Sequence, residues 1–158
     1  MILLGVDPGS RVTGYGILET KERGFRVVEY GCIKAPAKAE IGQRLHTIYR
    51  DLEVIISQYT PEELVLEEAF FAKNAKSALV LGQVRGVVML AASQKNIHVV
   101  EISAKLVKKR ITGNGNASKE QVRDMVCQRL RLEDSPRVLD ASDALAIALA
   151  HGQEIHYV

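Results

Sequence analysis

Short apolar segments bounded by turn residues open the chain, and their pattern predicts strands. The segments span residues 2–7, 12–19 and 25–33. Apolar runs of this length between turn residues are typical of β-strands. The residues between the second and third segments end in Gly24, which suits a hairpin position with positive φ. We therefore predict that the first three strands form an antiparallel meander.

The next segment changes to a helical period. Its apolar residues recur at alternating intervals of four and three, at Ile41, Leu45, Ile48, Leu52, Ile55 and Tyr59. This spacing predicts an amphipathic helix that lies on a sheet. Thr60-Pro61 ends the helix, and a short buried strand over residues 64–66 leads into Glu67-Glu68. A helix between two strands of one sheet implies a right-handed crossover and parallel pairing.

The remaining elements complete an α/β pattern. A helix is predicted from about residue 76 to 92, a fifth strand over 97–101, and two or three helices after it. Ser118 begins a capping box, so one helix starts at Lys119, and Ser135-Pro136 starts a last helix over about 136–151. We expect a five-stranded mixed sheet, with strands 1–3 antiparallel and strands 4 and 5 parallel, flanked by helices. No repeat or linker divides the chain, so residues 1–158 are expected to form a single domain.

The predicted helix over 76–92 carries Gly82 and Gly86 one turn apart. Two glycines on one face permit close approach of another element. Packing on the chain's own sheet and packing on a second copy both explain this face.

Composition narrows the class of protein. The 158 residues are 47% hydrophobic and 25% charged, with a net charge of +2, which is normal for a globular protein with a core. The two cysteines, Cys32 and Cys127, have no metal-ligand spacing and form no disulfide framework. No signal peptide and no apolar run of about 18 residues is found, so we expect a cytoplasmic protein with no membrane partner.

Basic residues concentrate in one segment of this nearly neutral chain. Between residues 103 and 123 a single acid, Glu120, is outnumbered by Lys105, Lys108, Lys109, Arg110, Lys119 and Arg123. Such a block suggests a surface that faces phosphate, although a solvated helix face would have the same composition.

Four acids stand out by position. Asp7 ends the first strand and Glu67 ends the fourth, so parallel pairing would bring both to one sheet edge, where ligands gather in α/β sheets. Asp140 and Asp143 lie three residues apart, on one face of the last helix beside its buried stripe. Asp7 alone could merely accept hydrogen bonds in an Asx turn. Asp143 alone could be a surface acid, and Glu68 is expected to face the other side of its strand.

Several carboxylates at one edge would repel one another unless a cation neutralised them. Mg²⁺ prefers such oxygen ligands, and two ions can activate a water and stabilise the leaving oxygen of a phosphodiester. No histidine or cysteine arrangement suggests a competing nucleophile: His46, His98, His151 and His156 are isolated in the sequence.

Four segments of the chain resemble motifs of the RuvC family of Holliday-junction resolvases, and the resemblance covers essentially the whole length. The first is Gly5-Val6-Asp7-Pro8-Gly9-Ser10-Arg11-Val12-Thr13-Gly14-Tyr15-Gly16. The others are Leu66-Glu67-Glu68-Ala69-Phe70, the run 73–86 with Leu81-Gly82-Gln83-Val84-Arg85-Gly86, and Asp140-Ala141-Ser142-Asp143-Ala144-Leu145-Ala146. Some family members have His where this chain has Asp140, and some have a longer tail.

The resemblance implies an RNase H-like fold and a homodimer that nicks two opposed strands of a four-way DNA junction with Mg²⁺. It implies two metal ions held by Asp7, Glu67, Asp140 and Asp143, with Mn²⁺ as a substitute. It further implies a preference for thymine-containing sites and cooperation with the RuvA–RuvB branch-migration motor. The DNA-contacting residues that it implies are Arg11, Phe70, Lys73, Lys108 and Lys119. Whether Phe70 or Phe71 faces the DNA stays open.

Three alternatives have different consequences. A nuclease of the same fold could process structured RNA with the same carboxylates. A junction-binding protein without catalysis could retain the fold alone. An actin-like sugar kinase also has an Asp followed by a Gly-rich turn, but 158 residues are too few for its two lobes.

Overall fold

Five strands form a single mixed sheet in the order β3-β2-β1-β4-β5. The computed structural model describes residues 1–69, 74–133 and 136–156, without the side chains of residues 136–140 and 156. The strands are β1 (Ile2–Asp7), β2 (Val12–Thr20), β3 (Phe25–Lys34), β4 (Glu63–Glu67) and β5 (His98–Ile102). β1, β2 and β3 pair antiparallel, whereas β4 pairs parallel to both β1 and β5. The predicted sheet is therefore confirmed, including Gly24 at positive φ in the β2–β3 turn.

Five helices accompany the sheet in the described part of the chain. They are α1 (Ile41–Tyr59), α2 (Ala75–Gln94), α3 (Ala104–Thr112), α4 (Lys119–Leu130) and α5 (Pro136–His156). The predicted capping box forms, because the Ser118 hydroxyl accepts from the Gln121 amide and the Gln121 side chain accepts from the Ser118 amide. α5 extends five residues beyond the predicted end at His151.

The helices cover the two faces of the sheet and divide the core in two. α1 and α2 pack on one face, against residues such as Leu4, Val6 and Leu64. α5 packs on the other face, with α3 and α4 outside it. Its residues from Ala144 to Ala150 are buried on all sides, since this helix lies between the sheet and two other helices.

Two paired glycines let α5 lie directly on the sheet backbone. Gly5 of β1 is paired with Gly16 of β2. A Cβ on Gly5 would clash with the carbonyl oxygen of Ala144, and a Cβ on Gly16 would lie 2.7 Å from Cδ2 of Leu145. This close approach carries Asp143, the residue before Ala144, towards the end of β1.

α2 has one buried and one open side. Val84, Val88 and Ala92 are buried in the core with α1. A Cβ built on Gly82 or Gly86 would meet no atom of another described element within 4 Å, so packing on the described sheet does not explain these glycines. The same helix exposes two large apolar side chains, Leu79 (71%) and Leu90 (51%).

By length and composition α2 is the one helix in the described residues that could cross a membrane. The expectation that no segment would qualify is therefore wrong. Core helices of globular proteins pass the same test, and α2 packs on α1 and the sheet with Arg85 buried among its inner residues.

A carboxylate pocket at the carboxyl edge of the sheet

Asp7 and Glu67 lie side by side at one edge of the sheet. β1 and β4 are parallel neighbours in which Val6 is paired with Leu66, so the next residue of each strand is one of these acids. Asp143 of α5 joins them, and all three line a pocket of about 280 Å³. The structure therefore brings these three acids together, as the sequence predicts.

The environment of Asp7 disfavours its charged form. The pKa of Asp7 is raised from 3.8 to about 6, mainly by burial and further by the neighbouring Asp143 and Glu67 carboxylates, while the charge of Lys119 opposes the shift. A carboxyl group that is partly buried beside two others is costly to ionise unless a cation is added.

The turn after Asp7 is held without its side chain. The Thr13 hydroxyl, fully buried, donates to the Gly9 carbonyl oxygen at 2.8 Å and accepts from the Gly9 amide at 3.2 Å. No hydrogen bond to the Asp7 carboxylate is present among the described residues. The Asx-turn alternative therefore does not describe this structure, and Asp7 is left facing the pocket.

Arg85 fixes the end of β4 beside Glu67. This buried arginine donates to the backbone carbonyl of Glu67 and to the carboxylate of Glu101. The pKa of Glu67 is raised, mainly by burial and then by Asp143, against the opposing charges of Lys119, Lys108 and Arg85. Sequence reasoning gave Arg85 no role, although an arginine among the apolar positions of a helix is a signal of a buried polar contact.

Lys119 and Lys108 border the same pocket. The Lys119 ammonium lies 3.1 Å from Oδ2 of Asp143, and this contact raises the pKa of the lysine. Lys119 is the first residue of α4, directly after the Ser118 cap, so the start of this helix lies at the pocket. Lys108 lines the pocket from α3.

The other predicted residues differ in position. Arg11 is exposed and lines an adjacent cleft. Phe70 and Lys73 lie outside the described residues. Asp140 is in the helical backbone of α5, one turn before Asp143, and its side chain also lies outside them. Glu68 follows β4 and is among the residues that line the pocket; that its side chain faces the other side of the strand stays a prediction.

The donors of the pocket fit a hard divalent cation. Asp7, Glu67 and Asp143 offer only carboxylate oxygens, and Mg²⁺ prefers such ligands while it keeps several waters. Among the side chains that the structure describes, no three acids, histidines or cysteines are already grouped tightly enough to form a complete metal site. Asp143 forms an ion pair with Lys119.

The three histidines whose side chains the structure describes do not line the carboxylate pocket. His151 and His98 contact Glu63 at the opposite edge of the sheet, and neither these nor His46 lines the carboxylate pocket.

The sequence of this chain matches one known protein family. The model of the family "Crossover junction endodeoxyribonuclease RuvC" matches residues 3–151. A protein of that name from Chloroherpeton thalassium is 53% identical over 149 residues, which cover 94% of this chain and 80% of the relative. Another from Mannheimia succiniciproducens is 47% identical, covering 99% and 77%.

A solved structure is similar over the whole fold. Thermus thermophilus RuvC in complex with a Holliday junction substrate superposes with a TM-score of 0.92 at 30% identity, covering 99% of this chain and 96% of that one. The five-stranded mixed sheet with its helices is thus the RNase H-like fold of this group. The family model, the curated relatives and the superposition together show that this chain belongs to the RuvC family of crossover junction endodeoxyribonucleases.

Proposed function

We propose that this protein is a structure-selective, Mg²⁺-dependent endonuclease that resolves four-way DNA junctions by paired symmetric nicks, in homologous recombination and DNA repair. Family membership supports the substrate class. The observation that carries the chemistry is one pocket that gathers three carboxylates, two of them with a raised pKa, beside two lysines. A site of this kind favours metal-assisted cleavage of a phosphodiester over nucleophilic catalysis by a side chain.

The acids would hold the metal. We assign Asp7, Glu67, Asp140 and Asp143 to two Mg²⁺ ions, for which Mn²⁺ would substitute. When bound, two such ions would lower the pKa of the attacking water and stabilise the departing 3′ oxygen. Asp7 and Glu67 contribute rigidity, because each ends a strand in the middle of the sheet. The repulsion among the carboxylates becomes favourable attraction once a divalent cation lies between them.

The two lysines would bind the substrate backbone. Lys108 and Lys119 place ammonium groups at the rim of the carboxylate pocket, where phosphate oxygens would accept their hydrogen bonds. They would also offset negative charge that develops on the cleaved phosphate. Arg11, Phe70 and Lys73 are proposed to contact DNA further along the strand.

The open side of α2 supports the proposed homodimer. Two symmetric cuts need two active sites, which a two-fold dimer of one chain supplies. Gly82 and Gly86 would let a second α2 approach closely, and Leu79 and Leu90 would be covered. We further propose that residues 1–158 act as a single nuclease domain, that the RuvA–RuvB motor is a partner, and that the DNA substrate places the protein in the cytoplasm with no membrane partner.

A nicking assay tests the proposal. The protein is incubated with Mg²⁺ and a mobile four-way junction, a linear duplex of the same sequence, or a structured RNA, and cuts are mapped on every strand. We expect paired nicks at symmetric positions of two opposed junction strands. Asp7→Asn should still bind the junction without cutting it. Preferred cutting of RNA would support the RNA-processing alternative, and binding without cutting under any divalent metal would support a non-catalytic protein.

A further inference from the structure

A second cleft lies beside the carboxylate pocket. It has a volume of about 290 Å³ and is formed by the β1–β2 turn, α1 and the first turns of α2. Leu81 lines both this basic cleft and the carboxylate pocket, so the two are contiguous. The basic cleft is defined by its three cationic side chains, Arg11, Arg44 and Lys76.

The charge of the basic cleft is uncompensated. No acidic side chain is among the described residues that line it. Arg11, Arg44 and Lys76 form no ion pair with any described residue, whereas Arg50 of α1 pairs with Asp51 at 2.9 Å and Lys95 next to α2 lies 3.8 Å from Glu53. Three unpaired cations converging on one concave surface favour an anionic ligand.

Arg44 supplies a second, independent observation. Its Nε is buried and has no hydrogen-bond partner in the described structure. Its Nη1 donates to the Ser10 hydroxyl at 3.4 Å, so the guanidinium is directed to the wall of the basic cleft. A buried donor without an acceptor is rare and costly in folded proteins, and a planar guanidinium matches the oxygens of a phosphate.

Two backbone amides at the start of α2 are not free to bind an anion in the basic cleft. The amides of Lys76 and Ser77 already donate to the Asn74 side chain, at 2.9 and 3.4 Å. The donors of the basic cleft are therefore its side chains.

We propose that the basic cleft binds a phosphate of the DNA strand that is cut, within about three nucleotides of the scissile phosphate. Ser10 is three residues from Asp7, and three residues of extended chain span at most about 11 Å. A DNA strand carries one phosphate per roughly 3.4 Å of helix axis, so the neighbouring phosphates fall in this range. This assignment rests on the proposed function and adds Arg44 and Lys76 to the residues that hold the substrate.

Matched substitutions test whether the basic cleft contacts phosphate. Arg44→Ala and Lys76→Ala remove its charges, and Arg50→Ala and Lys95→Ala remove a similar charge on or next to the same helices. Junction binding is measured without Mg²⁺ over a series of salt concentrations. Each cleft variant should weaken binding by about tenfold and reduce the salt slope by about one. Each control should do neither.

Junctions in which one phosphate is replaced by a neutral methylphosphonate then show which phosphate the basic cleft contacts. Junctions with a single methylphosphonate at each of the three positions on either side of the scissile phosphate are compared. At one position the neutral group should weaken binding of the wild-type protein by about tenfold and leave Arg44→Ala unaffected. Equal losses for both proteins at every position would overturn the proposal.

A third variant and a cleavage assay separate a failure of the basic cleft from a failure of the proposed function. Arg11→Ala changes an exposed residue, so this variant should fold like the wild type. The neutral phosphate that leaves Arg44→Ala unaffected should also leave Arg11→Ala unaffected. Thermal melting checks the fold of every variant. If the wild-type protein cuts the junction and no position shows coupling, only the basic cleft is wrong. If it neither binds nor cuts the junction, the proposed function itself fails.

Discussion

Strand β4 begins and ends with a glutamate, and the two side chains have opposite surroundings. Glu63, at the start, has one carboxylate oxygen 2.7 Å from Nε2 of His151 and the other 3.7 Å from Nδ1 of His98. The carboxylate of Glu67, at the end, accepts no hydrogen bond from a described residue, and its pKa is raised. The same residue type on the same strand is thus satisfied at one edge of the sheet and unsatisfied at the other.

The neighbouring strand β1 has an acid only at its end, and its two ends also differ in their contacts. At its start the backbone amide of Ile2 donates to the Glu62 side chain at 2.9 Å. At its end Asp7 is partly buried among other carboxylates. A strand-terminal acid is therefore not by itself a sign of function. The sign is an acid that the fold leaves without a partner, because such a group is costly until a ligand neutralises it.

Removing one glutamate from each end of β4 gives the largest expected difference. Glu67→Gln should reduce junction cleavage by at least about 10³-fold, because the proposed metal site would lose a ligand worth several kcal/mol. Glu63→Gln should leave the cleavage rate within about twofold. Single-turnover cleavage at saturating protein measures both. Equal cleavage rates for Glu67→Gln and Glu63→Gln would mean that the two ends of β4 do not differ in function.

Neutralising Asp7 should stabilise the metal-free protein. The folded pKa of about 6 lies above the unfolded 3.8, so the folded state holds the proton more tightly. Stability is then lost as pH rises from about 4 to 6, and above this range the loss is about 3 kcal/mol. Asp7→Asn avoids that loss. Urea unfolding in EDTA should show the variant more stable at pH 7.5 and equal to wild type at pH 4.

The pH dependence is the control for that prediction. An equal difference in unfolding free energy at both pH values would mean that the effect is not the ionisation of Asp7.

Two glycine-to-alanine substitutions disturb the packing of α5 on the sheet, one near Asp143 and one away from it. Gly5→Ala would push against the Ala144 carbonyl and displace the turn that carries Asp143, whereas Gly152→Ala would meet side-chain atoms of Phe25 at 2.5 Å and Leu3 at 3.0 Å. Both should destabilise the fold by about 1–3 kcal/mol. Only Gly5→Ala should also slow cleavage under conditions where the variant is fully folded. Unchanged cleavage by folded Gly5→Ala would show that Asp143 does not depend on this contact.

The smallest expected effect is at the satisfied edge. Glu63→Gln should destabilise the protein by about 1–2 kcal/mol, since the buried His151 loses a charged acceptor. His98 is largely exposed and more distant from Glu63, so His98→Ala should change stability by no more than about 0.5 kcal/mol. Chemical denaturation at pH 7.5 measures both. A gain in stability from Glu63→Gln would mean that Glu63 is not satisfied by its partner.

Most of the sheet follows from local patterns in the sequence. Apolar runs between turn residues placed every strand within a residue, and alternating intervals of four and three placed α1. The helix between β3 and β4 implied the parallel direction of β4, which pairs with β1. Strand direction thus predicted that both acids lie at one edge of the sheet, and the pairing of β1 with β4 brings them side by side. The pairing of Glu63 with His151 was not, because it joins residues 88 positions apart.

The rest of the site depends on tertiary contacts. The role of Gly5 appears only once α5 is laid on β1, and that of Arg85 only once α2 is placed beside the end of β4. Arg44 and Lys76 are ordinary surface residues in the sequence, since nothing local links α1 to the start of α2. The roles of Asp140, Phe70 and Lys73 stay predictions.

Mn²⁺ titration followed by NMR compares the two edges within one molecule. Paramagnetic Mn²⁺ broadens signals of nuclei near its binding site, so backbone amide spectra of the labelled protein locate the metal directly. The carboxyl edge should respond first, with loss of the Val6, Leu66 and Asp143 signals while those of Glu63, His98 and His151 persist, and Asp7→Asn should weaken this response. Broadening that begins at Glu63 and the histidines, or spreads equally over both edges, would contradict the assignment of the carboxylate pocket as the metal site.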